Sequence, residues 1–286
     1  MEILQLIANG VMAGSILAVP AIGLTAMYAV LRFPNFAIAS HATAGAFAGW
    51  TANALFGLPI LPSLLVALLV GGLIGLVTDE FVLKPFRKAG FITTAIGSLA
   101  LTIGLENVVR LFYGNDLRGY DLPLARDIVV AGIHVGPQQL HNIAISVAIM
   151  ALVFGFLTFT RMGKAMRAVA DNPQLADIKG IDARTVGRIV SFMGMGLAGI
   201  GGMLIGLDSS IDPMTGFRAM LPIFAAAVVG GLGSVPGAVV GALVVGIAEE
   251  LSLLALPASY KSSIAFLAIL VILTLRPQGI LGREGN

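Results

Sequence analysis

The stretch Leu61-Pro62-Ser63-Leu64-Leu65-Val66-Ala67-Leu68-Leu69-Val70-Gly71-Gly72-Leu73-Ile74-Gly75-Leu76-Val77 decides the fold class. Continued to residue 83, it meets the roughly 20 mostly apolar residues that a helix needs to cross a hydrocarbon layer. Comparable runs lie at 3–31, 36–56, 91–113, 139–160, 189–208, 237–254 and 262–276, with a shorter one at 219–232. The pattern predicts an all-α chain, a polytopic helical bundle of about eight to nine membrane segments, some broken or re-entrant, forming a single domain over residues 1–286.

Composition agrees. Hydrophobic residues make up 57% of the chain and charged residues 11%, against roughly 45–50% and about 25% in a soluble domain. Lipid has to cover the difference. The absence of Cys excludes disulfides, thiolate metal sites and a Cys nucleophile. A net charge of +2 with clustered basic residues argues against nucleic acid as a partner. The start, Met1-Glu2-Ile3-Leu4-Gln5, lacks the basic region of a signal peptide, so the first apolar run is expected to be retained.

Breaks and small residues organise the bundle. Pro20 sits near the middle of the first run and predicts a kink or break there. Gly230-Gly231-Leu232-Gly233-Ser234-Val235-Pro236-Gly237 is too rich in Gly and Pro for an uninterrupted helix. Gly10 and Gly14, Gly45 and Gly49, Gly71 and Gly75, Gly202 and Gly206, and Gly237 and Gly241 are spaced for close helix approach. Pro34-Asn35 and Pro236-Gly237 each precede a helix rich in small residues, a faint echo of an internal inverted repeat.

Basic residues in short loops set the orientation. Arg161, Lys164, Arg167, Lys179, Arg184 and Arg188 make the loop at 161–188 cytoplasmic. Lys84, Arg87 and Lys88 fall on the same side, as do Arg276 and Arg283 if the short run is a crossing. The loop at 114–138 is then external, its Arg118 and Arg126 balanced by Asp116, Asp121 and Asp127. The amino terminus comes out external, unless the first segment is re-entrant.

No catalytic centre is present. The glycine cluster at 230–237 is not followed by Lys-Ser or Lys-Thr, so it is no P-loop, and any ATP has to be hydrolysed by another chain. His41, His134 and His141 lack the pairing of a metal site, and no residue pattern calls for a cofactor.

The segment 161–188 stands apart. Apolar residues recur at helical spacing from Arg161 to Ala170, and Asn172-Pro173 ends or turns the helix. A second short helix fits Gln174 to Lys179, stopped by Gly180. Such an element either exposes one face to a protein partner or lies on anionic lipid headgroups.

From Gly163-Lys164-Ala165-Met166-Arg167-Ala168 through Gly180-Ile181-Asp182, this segment resembles the coupling region of the branched-chain amino acid ABC permease family. Gln174-Leu175-Ala176, followed after three residues by Gly180, keeps the spacing of the E-A-A-x-x-x-G signature of ABC importers. Gln174 stands for Glu, Leu175 stands for Ala, and the closing I-x-L-P is absent. Asn35-Phe36-Ala37 is similar to the family's N-F-A-H-G, and Lys84-Pro85-Phe86-Arg87 to its R-P-[LV]-R. The block from Ala227 to Ala238 and the tail Pro277-Gln278-Gly279-Ile280-Leu281-Gly282 resemble two further family blocks, in the family's order.

The resemblance implies a permease subunit of an ABC importer in the bacterial inner membrane. It further implies a heterodimer with a second homologous permease subunit, two cytoplasmic ABC ATPase subunits and a periplasmic substrate-binding protein. Gly163, Lys164, Arg167, Ala176 and Gly180 are the expected coupling residues. Branched-chain amino acids are the default substrate. The sequence departs from the family at Ile38-Ala39-Ser40-His41 and at Glu80, and the scaffold also suits other amino acids, amides, urea or small carboxylates.

Polar groups within the hydrocarbon need partners or water, which makes Asn35, His41, Glu106 and Asn107 candidates for the translocation path. The interrupted backbone at Gly231, Gly233, Ser234 and Pro236 is a further candidate. Each has a plainer alternative: Glu106 paired with Arg110 one turn on, His41 as a satisfied packing residue, the glycine-rich stretch as a surface loop. The competing function is an ion-coupled secondary transporter with Glu106 or His41 carrying a proton; a channel comes third.

Overall fold

A computed structural model describes residues 2–122, 128–130 and 133–282. Arg126, Asp127 and Arg283, used above for orientation, lie outside the described residues. The helices are α1 (Glu2–Leu31), α2 (Ile38–Trp50, continued by a π-helical turn Thr51–Leu55), α3 (Ile60–Thr78, continued by a π-helical turn Asp79–Leu83), α4 (Lys84–Arg87) and α5 (Phe91–Tyr113). A two-stranded antiparallel hairpin follows, β1 (Ile128–Val130) and β2 (Ile133–Val135), with Val129 opposite His134. Then come α6 (Pro137–Phe159), α7 (Arg161–Asp171), α8 (Pro173–Ile178), α9 (Ala183–Asp208), α10 (Thr215–Gly230), α11 (Val235–Leu251) and α12 (Lys261–Leu275).

Among the described residues, 7 helical stretches are long and apolar enough to cross a membrane. They are built on α1, α3, α5, α6, α9, α11 and α12. The shorter α2 and α10 complete the expected bundle from inside, most of their residues being buried. The expected break at Pro20 does not occur. α1 runs through it as one helix, and a Cβ on Gly201 would meet the proline ring at 2.6 Å. The lost hydrogen bond is outweighed by packing that fully buries Ala18, Val19 and Ala21.

α9 is the hub. Its glycines face outward in several directions, so α1, α2 and α3 all pack directly on its backbone. A Cβ on Gly196 would meet the Leu68 carbonyl oxygen of α3 at 2.9 Å, and one on Gly199 the Ala67 carbonyl oxygen at 2.5 Å. Every G-x-x-x-G pair read from the sequence meets another element: Gly10 and Gly14 meet α11, Gly45, Gly49, Gly71 and Gly75 meet α9, Gly202 meets α2, and Gly237 and Gly241 meet α10. Where lipid offers no hydrophobic drive between helices, such close contacts supply the packing attraction.

The two ends differ. One gathers Lys84, Arg87, Arg188 and the loop carrying α7 and α8, and is called the basic end below. At the opposite end Gln5 exchanges two 2.8 Å hydrogen bonds with the backbone of His134, which sets the amino terminus beside the hairpin. The loop after α5 is pinned over the same end. Arg118 and Ile211 exchange backbone hydrogen bonds of 2.9 Å, Trp50 donates to the Gly119 carbonyl at 2.8 Å, and the Tyr120 hydroxyl donates to the Ala46 carbonyl at 2.7 Å.

Candidate functional site

At the basic end, charge pairs fasten α3 to its surroundings. Asp79 pairs with Arg87, and Glu80 pairs with both Lys84 and Arg188, the latter at 3.1 Å. Glu80 thereby bridges α3 to the first turns of α9.

The element at 161–188 folds as its sequence predicts. Thr160 caps α7 by accepting from the Gly163 amide at 3.0 Å. Gly163 is obligatory: a Cβ there would fall on the backbone of Leu157 at the end of α6. Met166 and Val169 bury the apolar stripe of α7, while Lys164 and Arg167 are exposed, Arg167 donating back to the Leu157 carbonyl. Asn172 caps α8 by accepting from the Leu175 amide at 3.0 Å, with Pro173 in its first turn. Gly180 ends the helix at φ +81°, where its amide donates to Asp177 at 2.9 Å and the Ile181 amide donates to Ala176 at 3.0 Å. Asp182 then caps α9; the Thr185 hydroxyl and the Arg184 amide hold its carboxyl below the usual carboxylate range.

α8 seats Ala176 inward, 4% exposed, and turns Leu175 and Ile178 outward at 53% and 80%. From the sequence, Leu175 stands out only as a departure from the importer signature, and Ile178 does not stand out. The available signal was a pair of large apolar residues on either side of a buried alanine in an otherwise charged loop.

Between α7, the second half of α1, α6 and the turn after α10 lies a cleft of about 990 Å³. Arg167 and Asp171 of α7 line it together with Arg32 and with Gly233, Ser234 and Pro236 of the glycine-rich stretch. One residue expected to serve coupling, Arg167, thus meets three expected to serve the path, Gly233, Ser234 and Pro236. Arg32 ends α1 in the left-handed region at φ +59° and donates to the Ala170 carbonyl of α7. Gly231 and Gly233, at φ +107° and +94°, make the turn from α10 into α11 that other residues rarely adopt. Gly231 itself is buried beneath the tail, where a Cβ would stand 2.5 Å from the Gly282 amide nitrogen.

The remaining path candidates are dispersed. Asn35 is 1% exposed; its Oδ1 accepts from the Ala37 amide at 3.1 Å, and its Nδ2 has no partner. The next residue is clasped by α5: the Phe36 amide donates to Ser98 Oγ and its carbonyl accepts from Thr102 Oγ1, each at 3.0 Å, while its ring stacks on Phe224 of α10 at 4.6 Å. Ser98 and Thr102 belong to a buried stripe on α5 with Thr94 and Glu106. The Glu106 Oε1 is buried without a hydrogen bond, and the expected partner Arg110 instead donates to the Met214 sulfur at 2.7 Å. His41 is fully buried, with one ring nitrogen 2.6 Å from the Ala37 carbonyl and the other 3.1 Å from Thr78 Oγ1. Asn107 is exposed on the outer side of α5 and donates to its own helix at Ile103.

Residues 6–275 match the family model described as branched-chain amino acid transport system, permease component. The chain is 29% identical to the high-affinity branched-chain amino acid transport system permease protein BraD of Pseudomonas aeruginosa, over 98% of this chain and 96% of that protein. It is 31% identical to the permease protein LivH of Escherichia coli K12, over the same shares. Among solved structures, PsaBC from Streptococcus pneumoniae in complex with Fab superposes with a TM-score of 0.50 at 14% identity, covering 95% of this chain and 92% of that one. That last likeness concerns the fold alone.

Proposed function

The chain belongs to the branched-chain amino acid transport permease family, and from that premise we propose that it is the membrane-spanning subunit of an ABC importer for branched-chain or related amino acids. It resides in the bacterial cytoplasmic membrane with the basic end inward. It pairs with a second homologous permease subunit, two ATPase subunits bind at the basic end, and a periplasmic binding protein delivers substrate at the opposite end. The observation that carries this reading is α8, a short capped helix that turns Leu175 and Ile178 outward from a charged loop.

The route of the force follows from connectivity. α7 and α8 join the end of α6 to the start of α9, and α9 is the helix on which α1, α2 and α3 pack. Closure of the ATPases on ATP pushes α8, and the push enters the hub directly through the Asp182 cap. Gly163, Lys164, Arg167, Ala176 and Gly180 hold the shape of that lever. Gly233, Ser234 and Pro236 line the inward mouth of the path. Asn107, a polar group on an otherwise lipid-compatible face of α5, suits the seam with the second permease subunit, since an amide facing hydrocarbon is costly.

The test is leucine uptake into proteoliposomes containing this chain, its partner permease and the ATPases, with binding protein outside and ATP inside. Uptake that requires ATP supports the reading. Uptake driven by an ion gradient and indifferent to ATP overturns it in favour of a secondary transporter.

A further inference from the structure

Toward the end of the bundle opposite the basic loops, α1, α9, α10 and α11 surround a second cleft, of about 250 Å³. Its polar lining comes from Asp208, Ser209, Ser210, Thr215, Arg218 and Glu249, and its floor from apolar residues of α1. The charges do not balance. Arg218 is committed to Asp212 through bonds of 2.9 and 2.7 Å, and the nearby Lys261 is committed to Glu250. Among the described residues, this leaves Asp208 and Glu249 with no basic group at ion-pair distance, and Lys261 acts on both only from farther away. Glu249 is only 5% exposed, and its Oε1 has no hydrogen bond at all.

A carboxyl group so placed in a membrane bundle has to be neutralised, by a proton or by a cation. The backbone adds to the demand, because α9 ends at Asp208 and α11 ends shortly after Glu249, and helix carboxyl termini attract cations. No group of three or more His, Cys, Asp or Glu occurs among the described residues, so an all-protein cage for a divalent ion is not built here. We propose that this cleft binds a small monovalent cation, an alkali metal ion or a primary ammonium group, between Glu249 and Asp208, with hydroxyl oxygens such as that of Ser209 beside it. The site goes beyond the transport reading, since its occupancy is measured without transport.

The full chain in lipid nanodiscs is titrated with sodium, potassium or methylammonium chloride at constant ionic strength, with N-methylglucamine as the balancing ion, and the thermal unfolding midpoint is followed. A saturable upward shift is expected with at least one of the three, absent in Glu249→Gln and displaced to about tenfold or more higher concentration in Asp208→Asn, the worth of one charge-assisted contact. A response to sodium or potassium identifies an inorganic ion; a response to methylammonium alone identifies an ammonium ligand. No shift beyond the glucamine control overturns the proposal, as does an undiminished shift in Glu249→Gln. If that variant does not fold, Asp208→Asn at the exposed rim decides, and an unchanged midpoint curve overturns it.

Discussion

Gly23 of α1 and Gly194 of α9 face each other backbone to backbone, so that a Cβ on Gly23 would stand 2.5 Å from the Gly194 carbonyl oxygen. The oxygen belongs to helical backbone and the direction of a Cβ is fixed by its own helix, so neither could rotate away. Gly23→Val should therefore destabilise the bundle by about 1–3 kcal/mol or more through overpacking. Gly104→Ala, at a position where a Cβ meets nothing within 4 Å, should leave the melting temperature unchanged or slightly raised. Equal melting of the two variants in detergent would show that α1 does not pack on α9 in this way.

Gly180 stands in open space, so size alone does not forbid a side chain there; its φ of +81° does. Gly180→Val should cost about 1–2 kcal/mol of local strain and distort α8 while insertion and expression persist. Gly180→Asn, which tolerates the left-handed region, should recover most of the function. The readout is substrate-stimulated ATPase activity of the assembled transporter, and full stimulation in the valine variant would exclude α8 as the lever.

Leu175→Asp and Ile178→Asp change groups that are 53% and 80% exposed, so the permease should melt as the wild type does. Recovery of the ATPase subunits on co-purification should fall by about tenfold or more, as expected when a central apolar anchor is replaced by a charge. Undiminished recovery with both variants would place the ATPase contact elsewhere.

Ser234 lines the large cleft at the basic end, whereas Asn35 is 1% exposed. In this Cys-free chain, Ser234→Cys should react with a membrane-impermeant maleimide added to inside-out vesicles and not to right-side-out ones. Asn35→Cys should react slowly from either side. Labelling of position 234 from outside would reverse the orientation.

Asp182 caps α9 with its carboxyl held below the ordinary carboxylate range by the Thr185 hydroxyl and the Arg184 amide. A group whose pKa is depressed on folding contributes stability that is present above its unfolded value, about 4 for Asp, and is lost as pH falls through the folded value. Amide exchange at Thr185 and Val186 should thus become faster, relative to the rest of α9, as pH drops from about 5 through the acid range. Asp182→Asn keeps a cap without the titration and should show no such relative change. A pH-independent pattern in the native chain would remove the cap from the account.

The sequence was most informative where one short-range rule governs. Helix spacing and hydrophobic length located the membrane segments, and the capping grammar of Asn172, Pro173 and Gly180 placed α8 at Pro173–Ile178 against an expected Gln174 to Lys179. Small-residue spacing marked true contacts, because only glycine lets two helical backbones touch. What escaped were choices among partners remote in sequence. Arg110 is one turn from Glu106, yet it goes to Met214. Pro20 weakens its own helix, yet Gly201 on another helix receives its ring. The carboxylates around the second cleft come from α9 and α11, and nothing local to either helix says that they share a space.

The tail carries one more consequence. At the end of α10, the Ala227 and Val228 carbonyls are taken by the Gly231 amide, the Val229 carbonyl by the Ile280 amide at 2.8 Å, and the Gly230 carbonyl by the Leu281 amide at 3.0 Å. All of the carbonyls that a helix end leaves bare are therefore satisfied, the last of them by residues translated some fifty positions later. Because Ile280 and Leu281 are made after α10, the Val229 and Gly230 carbonyls receive these partners only once the later segment folds back over Gly231. The turn that borders the large cleft is thus fixed by residues that follow it only after two further helices, α11 and α12.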